Sequence, residues 1–332
     1  MKFSIIIPVY NIDNYIGKMI DTILMQSFTD YEVIIVNDGS KDDSEKIIKN
    51  KIINKNNFRL ITQDNAGPGA ARNTGIRAAR GEYILFWDGD DFITDKDALK
   101  RLDIISNELK FDILLYPIQH STFQGDNIIA SNVAYEKIMH GINKYNQVMN
   151  TMFCNGMMLS SPFEMLFTRR FIIDNKLYFA EGVFSEDIEW IVRIMDLAPQ
   201  FAFSDYQFYC YRWNRPGSTC NSNQDVGKIS AIIDFIKCHY KRLRSRDNET
   251  AFLTMNYLAY HWCVVASKVA ELPSGKEKEN CWNKLEEIKD ILSYRKIKKV
   301  LIFSLFSRII GIRNTALLGR IRYILMRRFF IK

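Results

Sequence analysis

No two of the six cysteines stand at C-x-x-C spacing; Cys154, Cys210, Cys220, Cys238, Cys263 and Cys281 are scattered. That pattern argues against a structural zinc site and a disulfide framework, and it suits a reducing compartment. No apolar run reaches the ~18 residues that a transmembrane helix needs. The opening MKFSIIIPVY has one lysine and a short apolar run ended by proline. That is too little for the apolar core of a signal peptide, so a first strand is expected there. The four histidines, His120, His140, His239 and His261, fall on no ligand spacing. The chain also lacks Gly-Lys-Ser/Thr, which rules out a phosphate-binding P-loop. No Gly-x-Gly-x-x-Gly follows the first apolar run, which rules out the dinucleotide fingerprint.

What is present is the composition of a folded protein. Of 332 residues, 47% are hydrophobic and 25% charged, close to the globular average. The length allows two domains, or one large one with an appendage. Short β-branched runs at 3–9 and 33–36 are of the kind buried on both faces of a parallel sheet. Between them Tyr15, Ile16, Met19, Ile20, Ile23 and Leu24 recur at helical spacing. Further strands are expected at 58–62, 83–87 and 112–116, with helices starting near Asp42 and over the Ala-rich segment 69–79. The reading is α/β, a mostly parallel sheet flanked by helices. Right-handed crossovers would place every strand's C-terminal end on one edge, where open α/β sheets bind ligands. After about 220 the chain turns helical: Ile229, Ile232, Ile233 and Ile236 sit at i, i+3, i+4, i+7. The pattern continues over 248–272 and 276–292, with Pro273-Ser274-Gly275 as a break. The expected division is 1–220 and 221–332.

Four polar segments follow the strands in order: Pro8-Val9-Tyr10-Asn11, Asp38-Gly39-Ser40, Gly67-Pro68-Gly69 with Arg72-Asn73, and Asp88-Gly89-Asp90-Asp91. A carboxylate such as Asp38 can accept hydrogen bonds from a nucleobase imide or a ribose, although Asp and Ser are also common helix caps. A guanidinium such as Arg72 can hold a base carbonyl or a phosphate. Three carboxylates grouped after a core strand repel one another, and a cation normally compensates them. Oxygen ligands of this kind suit Mg²⁺ or Mn²⁺ on a diphosphate; a solvated acidic turn is the commoner alternative for any Asp-x-Asp.

In this order and spacing the four segments resemble the family 2 glycosyltransferases of GT-A fold, of the bacterial polysaccharide, O-antigen and capsule type. The resemblance implies that Asp38 and Arg72 hold the uracil of a UDP-sugar, and that Pro8, Val9, Tyr10, Asn11 and Gly67 border the nucleotide pocket. It further implies that Asp88 contacts ribose or metal, and that Asp90 is the principal metal ligand with Asp91 close by. Glu186-Asp187, followed by Ile188-Glu189-Trp190, is similar to the family's Glu-Asp segment, whose aspartate is the catalytic base; here that is Asp187. Paired carboxylates raise one another's pKa and keep one useful as a base near neutrality; acids in a helix's first turn are also favoured by its dipole. Tyr211-Arg212-Trp213-Asn214-Arg215-Pro216-Gly217-Ser218 is similar to the family's Tyr-Arg-x-x-x-Gly-Ser segment, in which Arg212 and Arg215 would face the diphosphate. Phe163 and Met165 depart from the Trp and Lys of the family's acceptor-side segment.

The expectation is an inverting, metal-dependent transfer of a hexose or N-acetylhexosamine from a UDP-sugar to a sugar hydroxyl. Two rivals remain at this stage, a sugar-phosphate nucleotidyltransferase and a non-catalytic nucleotide-sugar-binding module. The first needs a basic Gly-rich loop after the first strand, and Pro8-Val9-Tyr10-Asn11 is not one. The second has no use for a base.

Acidic residues are absent from 291–332, while eleven lysines and arginines occur there. With a net charge of +7 for the whole chain, the first 290 residues are mildly acidic. Between those charges lie many Leu, Ile and Phe residues, more apolar surface than a nucleic-acid-binding tail needs. A basic amphipathic segment of this kind suits an anionic membrane surface. The expected location is the inner face of a bacterial cell membrane, peripheral and cytoplasmic, where a polyprenyl-diphosphate-linked glycan acceptor would be presented.

Overall fold

The computed structural model describes residues 1–122, 128–130, 133–183, 185–213 and 225–319. The strands are β1 (Phe3–Val9), β2 (Tyr31–Asn37), β3 (Phe58–Thr62), β4 (Tyr83–Phe86), β5 (Phe92–Ile93) and β6 (Ile113–Leu115), then β7 (Gln119–Thr122), β8 (Ile128–Ile129), β9 (Met165–Thr168), β10 (Phe201–Phe203) and β11 (Tyr209–Trp213). The helices are α1 (Asp13–Leu24), α2 (Ser44–Lys51), α3 (Pro68–Ala78), α4 (Ala98–Glu108), α5 (Tyr135–Ile138) and α6 (Tyr145–Cys154), then α7 (Arg169–Asp174), α8 (Glu186–Asp196), α9 (Val226–Leu243), α10 (Glu249–Glu271), α11 (Lys276–Glu286) and α12 (Lys298–Ile310).

The expected α/β architecture is present. A seven-stranded sheet runs β10-β6-β9-β4-β1-β2-β3. β1 pairs in parallel with β2 and with β4, and β2 in parallel with β3. β9 is antiparallel to both its neighbours, so the expectation of one common C-terminal edge holds for β1–β4 and not for every strand. The chain steps outward from β1 to β3 and then returns to lay β4 on the other side of β1. The C-terminal ends of β1 and β4 therefore flank a topological switch point, the place where such sheets bind ligands. β2 is buried at every position and β1 at all but Pro8, as strands covered on both faces must be. α3 lies close on β1 because Gly75 has no side chain; a Cβ there would run into Ile6.

A second sheet, β5-β11-β7-β8, has no counterpart in the sequence reading. It pairs Cys210 of β11 with Phe92 of β5, directly after the Asp88–Asp91 turn. The chain divides into two compact units. One takes in residues 1–145, 160–191 and 199–221; the other takes in 146–159, 192–198 and 222–332. The second unit is helical. α9 and α10 are capped by Asp225 and Asn248, whose side chains accept main-chain N–H bonds. The helix expected over 276–292 stops at Glu286, and a 3-10 turn at Lys289–Ser293 follows. The buried Ile288 and Ile291 stand three apart there, the spacing that a 3-10 turn puts on one side.

Candidate active site

The loops after β1, β2, β3 and β4 gather at the switch point. After β1, Tyr10 is 49% exposed, and Asn11 takes a positive φ of 49°. The Asn11 amide donates to Ser40 Oγ at 3.1 Å, and its Oδ1 accepts from the Lys41 amide at 2.8 Å. The loop after β1 is thereby tied to the loop after β2. Gly39 has φ +73°, and a Cβ there would press on the Asn65 amide, so glycine suits this turn.

Asp38 and Arg72 are both bonded within the chain. Asp38 is buried. Its Oδ1 accepts from Gln63 Nε2 (2.8 Å) and the Ala66 amide (3.0 Å), and its Oδ2 from the Gly67 amide (2.8 Å). This carboxylate shapes the 63–67 loop that opens α3. Arg72 lies buried among three carboxylates: Nη2 is 3.0 Å from Asp88, and Nη1 is 2.9 Å from Glu186 and 3.5 Å from Asp187. Its guanidinium also sits 5.4 Å from the Phe179 ring centroid, and its Nε is buried with no hydrogen-bond partner. Burial alone would pull the arginine's pKa down; Asp88, Asp187 and Glu186 outweigh it and raise the pKa, so Arg72 stays charged.

Asp88, Asp90 and Asp91 bring carboxylate oxygens within 4.8 Å of one another. The three play different parts. Asp91 is fully buried; its Oδ2 accepts from the Tyr209 hydroxyl at 2.5 Å and its Oδ1 from the Arg212 amide at 2.8 Å. Tyr209 also accepts from the Asp88 amide at 3.0 Å, and Arg212 Nε donates to the Asp90 carbonyl at 3.0 Å. β11 thus clamps the turn, and Asp91 is its anchor. Asp88 and Asp90 are less buried. Burial, then the nearby Asp90 charge acting against the opposing pull of Arg72, holds the Asp88 pKa above its ordinary value. Burial, then Asp90 and Asp88, raises that of Asp91 well above it. A hard divalent cation would relieve this repulsion, so the donor set fits Mg²⁺ or Mn²⁺, with Asp88 and Asp90 as its carboxylates.

Glu186 and Asp187 open α8. Trp190, one turn on, fixes that start. It stacks on Phe179 at 4.3 Å, meets Phe86 edge-on at 5.6 Å, and donates Nε1–H to the Leu177 carbonyl at 2.8 Å. Asn73 completes the frame, donating to the Phe179 carbonyl and Glu181 and accepting from the Phe179 amide. The Asp187 side chain keeps 33% of its surface open, while its Oδ1 is buried with no hydrogen-bond partner. Burial raises the Asp187 pKa; Arg72 opposes, Glu186 and Asp88 add, and the result is about 7.

Of the residues expected at the site, Arg72, Asp88, Glu186 and Asp187 are joined directly, and Asp90, Asp91 and Arg212 border them. Arg215 lies outside the described residues. Tyr209 is the participant that the sequence did not reveal; its partner lies 118 positions away. The one available signal was that a buried tyrosine hydroxyl needs a partner.

Residues 4–167 match the family model described as Glycosyl transferase family 2. These residues belong to that family. GlyA of Streptococcus pneumoniae serotype 4, a glycosyltransferase, is 30% identical over 214 residues, covering 64% of this chain and 30% of GlyA. TarS of Staphylococcus aureus, a poly(ribitol-phosphate) β-N-acetylglucosaminyltransferase, is 38% identical over 119 residues, covering 35% of this chain and 20% of TarS. Less than a third of the length of either relative is therefore aligned. The crystal structure of TarS 1-349 with UDP-GlcNAc superposes with a TM-score of 0.68 at 21% identity, over 95% of this chain and 90% of that one. The mannosyltransferase PcManGT of Pyrobaculum calidifontis, solved with GDP-Man and Mn²⁺, gives 0.52 at 14% identity over 93% and 87%. The fold is GT-A.

Proposed function

We propose that this protein is an inverting glycosyltransferase that moves a hexose or N-acetylhexosamine from a UDP-sugar to an acceptor sugar hydroxyl. The observation that carries the reading is Asp187: a carboxylate whose buried Oδ1 takes no hydrogen bond, a pKa of about 7, and an arginine shared with the donor-side Asp88. A base poised near neutrality is what deprotonating a hydroxyl requires. Asp187 takes the acceptor proton as that oxygen forms its bond to the anomeric carbon, on the face opposite the diphosphate. The bond from that carbon to the diphosphate oxygen breaks, its electron pair leaves on UDP, and the product is a β-linkage from an α-linked donor. Asp88 and Asp90 would hold a divalent cation, which when bound would neutralise charge on the departing diphosphate. Arg72 stays between the two acidic groups and holds Asp187 in place. TarS, named for β-N-acetylglucosaminyl transfer and solved with UDP-GlcNAc, supports the donor class and the stereochemistry.

For the acceptor we infer a polyprenyl-diphosphate-linked glycan of the O-antigen, capsule or exopolysaccharide kind, met on the cytoplasmic face of a bacterial membrane. The acid-free basic tail supports that location. The test is a panel of UDP-sugars with Mn²⁺ or Mg²⁺, followed by acceptor trials with the donor that is hydrolysed and NMR of the product's anomeric centre. Cation-dependent release of UDP and a β-product are expected. A retained α-configuration would remove the direct displacement, and synthesis of UDP-sugar from UTP and a sugar phosphate would replace the reading altogether.

A further inference from the structure

Helix α12 is apolar on opposite sides. Val300 and Phe303 face inward with Ser304, and Phe303 meets Trp262 of α10 edge-on at 5.7 Å. Opposite them Leu301, Ile302, Leu305, Phe306 and Ile309 are exposed, Ile309 to 80%. Polar side chains normally take that position on a surface helix. Beyond Gly311, where φ is +82° and the helix breaks, Leu317 and Leu318 are exposed as well. Lys298 and Arg308 stand exposed beside the apolar stripe, and no acidic residue occurs anywhere from 291 to 332.

We propose that this outward face of α12 docks on an anionic lipid bilayer, with Leu301, Ile302, Leu305, Phe306 and Ile309 at the acyl boundary and Lys298 and Arg308 among the headgroup phosphates. Charge decides between lipid and a second copy of the chain. An isologous contact would set the patch against itself, bringing Lys298 and Arg308 toward like charges with no carboxylate on α12 itself to offset them, whereas anionic headgroups supply the opposite sign. Length decides how the helix lies. Thirteen residues at about 1.5 Å each cover about 20 Å, short of a hydrocarbon core of about 30 Å. Among the described residues no helix is long and apolar enough to cross a membrane, so α12 rests in the plane of the interface. The proposal deepens the reading above by naming the surface that meets a membrane-borne acceptor, and it rests on that reading for the purpose of docking only.

The experiment is co-sedimentation of the full chain with phosphatidylcholine vesicles, with and without phosphatidylglycerol, at low and high salt and with no nucleotide or acceptor. Binding is expected to the anionic vesicles at low salt and to weaken as salt screens it. The double variant Leu305→Glu/Ile309→Glu should lose roughly 10²-fold in partitioning, and Lys298→Gln/Arg308→Gln roughly tenfold. Both pairs are exposed, so an unchanged far-ultraviolet circular dichroism spectrum and melting temperature are expected. Failure of the unaltered chain to bind anionic vesicles at low salt would overturn the proposal. So would equal binding by the glutamate variant, or a dimer in light scattering that the same variant abolishes. UDP-sugar hydrolysis measured in parallel separates the two readings: vesicle binding without hydrolysis upholds the docking face and removes the transferase.

Discussion

The carboxylates after β4 and those that open α8 share one cation, Arg72, and are otherwise treated differently. In the first group three aspartates crowd one turn, and the innermost is fastened by the Tyr209 hydroxyl and the Arg212 amide. In the second, Glu186 is fastened to Arg72 at 2.9 Å, while Asp187 Oδ1 stands farther off at 3.5 Å, an ion pair with no hydrogen bond. Crowding with firm anchorage leaves negative charge that a metal ion would neutralise. A single loosely held carboxylate leaves basicity. The same residue type thus stands in two different surroundings, and substitution should affect the two groups in separable ways.

The largest effect is expected at the second group. Asp187→Asn keeps the shape and removes the base, so turnover should fall roughly 10²–10⁴-fold, with UDP affinity retained in calorimetry. Near-normal turnover would take Asp187 out of the mechanism. Arg72→Met strikes both groups at once. It leaves Asp88, Glu186 and Asp187 without their shared counter-charge, and losing one partner of a buried ion pair costs about 3–5 kcal/mol. The folded-state pKa values of Asp88 and Asp187 are already above their ordinary range and would rise further. The added penalty is therefore fully present above the variant's folded values and fades as the pH falls through them to the folded values of the unaltered protein. Thermal melts in mildly acidic and mildly alkaline buffer should show the smaller loss in acid; an equal loss in both would mean that the arginine acts by packing alone.

A smaller effect separates the groups. Tyr209→Phe removes one of the two donors on Asp91 and the acceptor of the Asp88 amide, so the turn that presents Asp88 and Asp90 loses an outer support, a loss that typically weakens metal binding about 10–100-fold. Titration of Mn²⁺ should show this weakening, with Asp90→Asn the more severe. Because Tyr209 makes no bond to Asp187, the pH dependence carried by Asp187 should stay in place.

The first group was the more legible in sequence, for a physical reason. The apolar runs at 3–9 and 58–62 coincide with β1 and β3, since buried parallel strands write themselves as unbroken apolar runs. Four polar loops following four such runs can only meet on one edge of a parallel sheet. The sharing of Arg72 is another matter. It joins residues 114 positions apart, as Tyr209 joins Asp91 across 118, and such pairings leave no local period to read. The antiparallel β9 and the small sheet of β5, β11, β7 and β8 were missed likewise, being short strands with distant partners. The exposed stripe of α12 was half visible: its composition showed apolar and basic residues together, but which apolar residues face water depends on what α10 covers.

The subtlest prediction concerns how Glu186 sets the basicity of its neighbour. Burial lifts the Asp187 carboxyl from its ordinary 3.8 to about 7, with Arg72 pulling it down and Glu186 pushing it up. Since kcat/KM reports groups of the free enzyme, its acid limb should lie near pH 7 and drop about tenfold per unit below that. In Glu186→Gln the repulsion from the neighbouring carboxylate is gone, and Arg72 Nη1 is released from its 2.9 Å contact to favour Asp187. Both changes stabilise the charged form. The limb should therefore move to lower pH, extending activity into acid while the alkaline side is unaffected. A limb that moves upward would mean that Glu186 serves chiefly to hold Arg72 in reach of Asp187, and one that does not move at all would assign the titration to a group other than Asp187.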